Sequence, residues 1–353
     1  MGKQENCVHH RSLHRGDRGR GHCAPSQPPE EQGMNVQRLR FFVQLFFFVV
    51  LVYGGSLFAL KIDSILPTFS CVFVDGNGGG CFLVSLQHQL ARPLPAFLGS
   101  SGVMLLTTLG TVVVLAILLN KAWCGWICPF GFLQDLMTKL RNLLNIDLSR
   151  LSWLTSKRYR SVKYILLAFL VLVPLAIGNL GLSRDWTAPF CQMCPARPLM
   201  PLLEGNLSEF HIDFSSAPTM ILTSIAILLV GLFFTASFIN RRFLCSYCPM
   251  LAFLSLFDKV GLLSLKKDGE RCTRCGNCYR ACPMEIRAIE EEKEKTNLVT
   301  QDCILCLRCV ESCPENKALT ATFLGVPVLR ASQEGFLKRQ QKTNGDEERD
   351  DHN

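Results

Sequence analysis

The chain has 353 residues, 48% of them hydrophobic, and a formal net charge of +8. This composition argues against an ordinary water-soluble protein, and the basic residues lie mostly beside apolar segments, which argues against a nucleic-acid-binding protein. Eighteen cysteines in tight clusters indicate metal ligation before they indicate a disulfide scaffold.

The first 35 residues form a polar, basic segment without apolar periodicity, which we expect to be disordered. A second methionine, Met34, precedes a short basic lead into the first apolar stretch and is an alternative start. Cys7 and Cys23 would then have no role. A small Cys/His metal site in this segment is the competing hypothesis.

Four apolar stretches are each long enough to cross a hydrocarbon core of about 30 Å as a helix. They cover residues 41–60, 102–120, 164–182 and 218–239. The alternative, buried helices of a soluble domain, would give shorter stretches with a polar stripe. The sequence therefore predicts an α-helical membrane domain over residues 36–260.

Lysine and arginine are unevenly distributed over the connections between these stretches. The middle connection, residues 121–163, holds eight of them, whereas the other two connections hold two each. By the positive-inside rule, we expect the middle connection and both termini to face the cytoplasm. The predicted location is the inner, or cytoplasmic, membrane, with several spans.

Cysteines recur at one period through the membrane domain. Cys71 and Cys191, which follow the first and third spans, are 120 residues apart, and Cys124 and Cys245, which follow the second and fourth, are 121 apart. Two matches at nearly one period predict a duplicated unit of two helices.

The strongest signal is a pair of C-x2-C-x2-C-x3-C-P runs, "CTRCGNCYRACP" and "CILCLRCVESCP". This spacing is that of a two-cluster ferredoxin, in which the fourth cysteine of each run ligates the other cluster. One [4Fe-4S] cluster is expected on Cys272, Cys275, Cys278 and Cys313, and a second on Cys303, Cys306, Cys309 and Cys282. Zinc would need only four thiolates. We predict an α+β ferredoxin domain over residues 261–325 and a solvated polar tail over 326–353.

Two further cysteine pairs, each followed by proline, lie where the second and fourth spans end. On a continuing helix, cysteines three or four residues apart share a face, so each pair could direct its thiols to one spot. Cys124, Cys128, Cys245 and Cys248 therefore predict one metal or iron-sulfur site at the inner surface. The alternative is that they pack as small hydrophobic residues. Trp123 and Trp126 beside them are interpreted as interface anchors.

The cysteines of the other two connections are predicted to lie at the outer surface. They are Cys71, Cys81, Cys191 and Cys194. An oxidising outer compartment favours disulfides, whereas two pairs from equivalent loops would suit a four-thiolate cluster, and neither spacing nor compartment decides between them.

"WCGWICPFG" after the second span, a second Cys-Pro motif after the fourth and the two-cluster ferredoxin tail together resemble the NapH-type membrane polyferredoxins and the membrane half of NosR-type regulators, although the second motif, "CSYCP", has two intervening residues where the family has three. The resemblance covers about residues 36–324 and implies a four-span protein of the inner membrane. It also implies electron transfer between the quinone pool or a cytoplasmic donor and a partner reductase or cytochrome. The outer cysteines are not part of that family pattern.

The expected function is that of an electron-transfer subunit with two [4Fe-4S] clusters, one or two further iron-sulfur or metal sites in the membrane domain, and a bound quinone as a further carrier. No catalytic residues are predicted, and no nucleic acid is expected as a partner beside the membrane lipid. Alternative functions are metal handling for oxidase assembly, such as copper reduction or delivery, and redox sensing.

Overall fold

A computed structural model describes residues 35–58, 73–74, 78–79, 81–93, 95, 99–146, 157–180, 189–203, 205–207 and 210–350. The predicted N-terminal segment, including Cys7 and Cys23, and Cys71 of the outer set lie outside these residues.

Four described helices are long and apolar enough to cross a membrane. They are α1 Val36–Phe58, α3 Ser100–Leu119, α6 Val162–Leu180 and α9 Ala217–Ile239. The prediction of four spans is confirmed, with ends that differ by a few residues. The largest shift is at α1, which begins five residues earlier than expected and so includes Arg40. We call the face at which α1 and α6 begin the near face, and the opposite one the far face.

Short helices occupy the described parts of the two connections at the far face. They are α2 Phe82–Leu90, α7 Pro189–Met193 and α8 Ala196–Leu203, beside a two-residue antiparallel pair of β1 Phe73–Val74 and β2 Gly78–Gly79. Helix α2 buries Phe82, Leu83 and Leu86, an i, i+1, i+4 pattern that gives one apolar side. These helices therefore pack among the spans.

Both α2 and α8 run from the interior of the bundle toward the far face. The ring of Phe82 at the start of α2 is 5.4 Å from that of Phe253, which follows the near-face end of α9. At the other end of α2, the carbonyl of Ala91 lies against Gly178 near the far end of α6. Likewise, the Tyr53 hydroxyl in α1 donates to the carbonyl of Leu203 at the end of α8 (2.8 Å).

The near face carries a series of shorter elements. A π-helical turn, Trp123–Ile127, is followed by α4 Pro129–Leu143, and a single turn α5 Lys157–Arg160 precedes α6. After α9 come α10 Phe243–Tyr247 and α11 Pro249–Ser255. The chain therefore breaks twice, in the same way, just after α3 and after α9.

The C-terminal domain is built on an antiparallel sheet in the order β3 Leu263–Lys267, β4 Leu319–Phe323, β5 Val326–Arg330. Its helices are α12 Asn277–Ala281, α13 Ala288–Glu291, α14 Arg308–Glu311 and α15 Gln333–Asp350. The predicted boundary at residue 325 falls inside the β4–β5 hairpin. The expected polar tail thus supplies a strand, which pairs with β4 from Val326 to Arg330 with one irregularity, and a helix.

This domain packs on the near face through groups from several spans. The Trp126 indole donates to the carbonyl of Leu305 (3.0 Å). The Lys121 ammonium donates to the carbonyl of Thr300 (2.7 Å), and Lys163 pairs with Asp302 (2.7 Å). The interpretation of Trp126 as a lipid anchor is therefore wrong, because its polar N–H is used inside the protein.

Candidate metal centres

The eight cysteines of the C-terminal domain line two separate clefts, each enclosing about 340 Å³ including its open mouth. The first cleft, which we call the distal cleft, is lined by Cys272, Cys275, Cys278 and Cys313. The second, the proximal cleft, is lined by Cys282, Cys303, Cys306 and Cys309. Each cleft takes three cysteines from one run and the fourth from the other, which is the grouping that the spacing predicts.

The loops between these cysteines share one backbone conformation. Arg274 and Gly276 in the first run, and Leu305 and Leu307 in the second, all have φ between 50° and 78°. The left-handed conformation is unfavourable for residues other than glycine. Its occurrence at matching positions of the two runs indicates that both loops must curve in the same way around their cysteines. Successive turns of this kind direct backbone N–H groups inward, where they suit an anionic ligand. One of them, from Leu305, donates to the Cys303 sulfur (3.4 Å).

At the near face, four cysteines form a second type of site, which we call the inner quartet: Cys124, Cys128, Cys245 and Cys248. Cys128 and Cys248 are extended residues with φ/ψ of −59°/119° and −69°/121°, each directly before a proline that opens α4 or α11. A residue before proline is held in this region. The first cysteine of each pair therefore lies in a short helical turn and the second at the break that ends it, so the expectation of one continuous helical face is wrong.

Burial dominates the chemistry of the inner quartet. It is the largest cause that raises the pKa of Cys128 to about 12 and that of Cys248 to about 11, and the neighbouring Cys245 contributes to both shifts. Several buried thiols at close range are neutral unless a cation balances them, because thiolates repel in a poorly solvated site. A metal or iron-sulfur cluster supplies that positive charge, and thiolates are the ligands such centres prefer.

A buried ionic network adjoins the quartet, and the sequence analysis missed it. Arg242, which is fully buried, donates two hydrogen bonds to Asp135 (3.0 and 2.6 Å) and one to the carbonyl of Cys124 (2.9 Å). Its guanidinium also lies 3.9 Å from the Cys245 sulfur. Arg40 pairs with the same carboxylate and donates to the carbonyl of Gly125 (2.9 Å). Two guanidiniums on one carboxylate leave net positive charge beside the thiols.

The charge state of Asp135 follows from these contacts. Burial alone would raise its pKa, but Arg242 and Arg40 outweigh that effect and hold the pKa well below its usual range. The sequence did contain a signal for this network, since a charged residue lies directly beside or within each of two apolar stretches. Arg40 precedes "FFVQLFFF", and Asp135 lies in "FGFLQDL". Charges in such positions are usually paired.

Two of the three described members of the outer set, Cys81 and Cys194, pack among the spans, and the prediction that they lie at an outer surface is wrong. Cys81 packs in the same hydrophobic cluster as Cys124, Cys128 and Cys248, and Cys194 packs with Cys128. The reason is that α2 and α8 turn back into the bundle and carry their first residues inward. Among the fifteen described cysteines there is no disulfide.

The spacing of the described cysteine side chains suits an iron-sulfur cluster better than a single metal ion. Within the described residues, no three His, Cys, Asp or Glu groups converge as the ligands of one metal ion would. A zinc site brings all four sulfurs to about 2.3 Å from one atom, whereas the cysteines of a cubane surround a larger body. The clefts of the C-terminal domain have that wider form.

Comparisons with known proteins agree with this chemistry. A family model described as "4Fe-4S binding domain" matches twice, over residues 101–147 and 221–268, which supports the duplication. A "4Fe-4S dicluster domain" matches residues 264–314. No solved structure gives a significant match.

Three curated relatives illustrate the range of similarity. An uncharacterised protein of Methanocaldococcus jannaschii is 32% identical over 62% of this chain and 79% of its own. The ferredoxin-type protein NapH of Escherichia coli is 25% identical over 66% of this chain and 71% of its own. The regulatory protein NosR of Pseudomonas aeruginosa is 29% identical over 58% of this chain but only 26% of its own. With its four apolar spans and its dicluster domain, the chain belongs to the family of NapH-type membrane polyferredoxins.

Proposed function

We propose that this protein passes electrons between a soluble donor or the quinone pool and a partner reductase or cytochrome through a row of iron-sulfur centres. The observation that carries the proposal is the contact between the C-terminal domain and the inner quartet. Cys124, Cys245 and Cys248 pack directly against the hydrophobic core that holds the ferredoxin cysteines. When bound, iron-sulfur clusters carry one electron at a time at potentials that the protein tunes.

The proximal cleft is the one that faces the membrane domain. Gln37, in the first turn of α1, donates to the carbonyl of Cys306 (3.4 Å). Gly125, next to Cys124, lies so close to the chain at Cys306 that a methyl group there would be 3.3 Å from its backbone nitrogen. A cluster held by the proximal cleft would therefore exchange electrons with a centre held by the inner quartet.

The distal cleft is open to solvent, since Cys275 is exposed. This is where a soluble partner could approach most closely. We propose that this face lies in the cytoplasm, as the basic middle connection predicts. Lys121, Arg160 and Lys163 of that connection also have structural ion pairs, so the orientation rests on the remaining basic residues.

Iron content tests the number of centres. We expect protein purified without oxygen to hold more than the roughly eight irons of two [4Fe-4S] clusters, because the inner quartet adds about four. The double variant Cys245→Ser/Cys248→Ser should lose about four irons and keep the ferredoxin signals in electron paramagnetic resonance. Unchanged iron and sulfide in that variant would show that the quartet holds no cluster.

The crossed ligand sets give a second prediction. Cys313→Ser should perturb the centre of the distal cleft although Cys313 belongs to the second run, because it lines that cleft together with Cys272 and Cys275. Cys282→Ser should perturb the proximal centre for the same reason. Potentiometric titration of the two reduced signals can tell the centres apart, and the reverse assignment would contradict the proposal.

A further inference from the structure

We infer that Cys81, Cys191 and Cys194 hold an additional iron-sulfur cluster inside the membrane domain, next to the inner quartet. The inference rests on the proposed electron-transfer function and deepens it, because it extends the row of centres beyond the near face. The sequence alone places these residues at an outer surface, where disulfides are an equal alternative. The structure removes the basis for that placement.

The starts of α2 and α8 lie beside the residues that follow the inner quartet. Cys81 directly precedes α2, and its neighbour Phe82 packs against Phe253 of α11, five residues after Cys248. On the other side of the duplicated unit, Ala196 at the start of α8 packs with Phe130, which follows Cys128. Both re-entrant helices therefore begin at the level of the inner quartet and end toward the far face.

The three cysteines lie close to one another and to the quartet. Cys81 and Cys194 pack against two hydrophobic clusters that both include Cys128, and the N–H of Cys194 donates to the carbonyl of Cys191 (3.2 Å). Burial is the largest cause that raises the pKa of Cys81 to about 12, and nearby Cys191 and Cys248 contribute to this shift. The pKa of Cys194 is raised by burial and then by Cys191, Cys81 and Cys248. Thiols from two connections about 110 residues apart in the chain thus lie within electrostatic range of one another and of the quartet.

The backbone beside these thiols suits an anionic ligand. Cys81 is the residue that caps the start of α2, and Cys194 lies two residues before α8. At a helix start, N–H groups and the helix dipole favour a negative charge. The carbonyl of Cys194 accepts a hydrogen bond from the Arg197 N–H (3.1 Å), and that of Cys81 from the Val84 N–H (3.0 Å). Two helix starts beside one group of partly buried thiols suit an anionic thiolate cluster. Each helix start belongs to one half of the duplicated unit, as do the two halves of the quartet.

A cluster in this position would shorten the distance that an electron must cross between the near face and the far face. An electron lost by the inner quartet would be gained by the neighbouring three-cysteine centre, and no group other than the two centres would change its redox state. The protein would then carry electrons into the interior of the spans toward a partner at the far face.

The test compares cysteine variants in the full-length protein, purified without oxygen. Cys191→Ser/Cys194→Ser should lose about three or four irons relative to wild type, while the signals of the ferredoxin centres and the quartet persist. Cys81→Ser should also lose the iron and the spectroscopic signal of this additional centre. The matched control Cys7→Ser/Cys23→Ser also removes two cysteines and should keep the wild-type iron content.

Two outcomes would overturn the inference. One is unchanged iron in both variants, particularly if Cys191 and Cys194 resist alkylation as a disulfide would. The other is a wild-type content of no more than about twelve irons together with the loss of about four of them in Cys245→Ser/Cys248→Ser, because the ferredoxin centres and the quartet then account for all the iron. The variant Cys245→Ser/Cys248→Ser separates the two proposals. If it loses iron and Cys191→Ser/Cys194→Ser does not, the proposed function stands and the inference of an additional cluster fails.

Discussion

Gly125→Ala is expected to loosen the C-terminal domain from the near face while both parts stay folded. A side chain at this position would clash with the carbonyl oxygen of Ile304 and lie 3.4 Å from the Cα of Cys306. Both neighbours are backbone atoms and cannot move aside as a flexible side chain would. Overpacking of this kind costs about 1–3 kcal/mol. Here that cost weakens the association of the C-terminal domain with the near face.

Hydrogen exchange measures this effect directly. In Gly125→Ala, the amides of residues 121–126 and 300–306 should exchange faster, and reduction of the inner quartet from the proximal centre should slow. Gly110→Ala is the matched control, because a methyl group at that position in α3 meets no atom within 4 Å. Equal exchange in the two variants would contradict the close packing of Gly125.

Asp135→Asn is expected to destabilise the membrane domain and to release iron from the inner quartet. The substitution leaves the fully buried Arg242 and the buried Arg40 without their shared negative charge. Removing one partner of a buried pair costs about 3–5 kcal/mol. Arg242 would then lose the position in which it holds the Cys124 carbonyl and faces the Cys245 sulfur.

The pH dependence of this effect has a definite sign. Because the folded-state pKa of Asp135 lies below its unfolded value, the stabilisation is complete above the unfolded value of about 3.9 and is lost only as the pH falls through the folded value. The difference in thermal unfolding midpoint between wild type and Asp135→Asn should therefore be constant between about pH 5 and pH 8, which lies above both pKa values of Asp135.

Asp268→Asn provides the control for that comparison. Asp268 pairs with Arg271 at 2.9 Å, but both side chains are about half exposed, and such pairs contribute about 0–1 kcal/mol. A shift in the unfolding midpoint as large as that of Asp135→Asn would show that charge removal in general, and not the buried network, causes the effect.

The grouping of the eight ferredoxin cysteines into two clefts could be predicted from the sequence because it depends mainly on local spacing. The C-x2-C-x2-C loops fix three cysteines within one left-handed curve, and only the fourth position requires a distant contact. The duplication was equally accessible, since Cys124 and Cys245 repeat at one period. In both cases the relevant information lies in short intervals along the chain.

The re-entrant helices could not be predicted in this way. A span is recognised by its length, but α2 has only nine residues, and hydropathy does not tell whether such a segment lies outside the membrane or turns back into it. The direction depends on what the helix meets, here Phe253 and Leu170 in neighbouring helices. The position of Cys81 therefore required the tertiary structure.

The basic residues show a similar limit. Lys121 and Lys163 were counted as topological signals, yet both are fully buried and each pairs with an aspartate of a near-face or ferredoxin element. A lysine that has a buried partner contributes to packing as well as to membrane orientation. Counting charges in a connection cannot separate these two roles.

The packing of Trp126 and Gly125 against residues 304–306 has a kinetic consequence. Diffusible ferredoxins must meet each partner in solution, so their turnover depends on concentration and ionic strength. Here the proximal cleft is held against the membrane domain by hydrogen bonds and backbone contact. Transfer between them would be a first-order event, insensitive to dilution and salt, and only the encounter at the solvent-exposed Cys275 would depend on the abundance of a mobile partner.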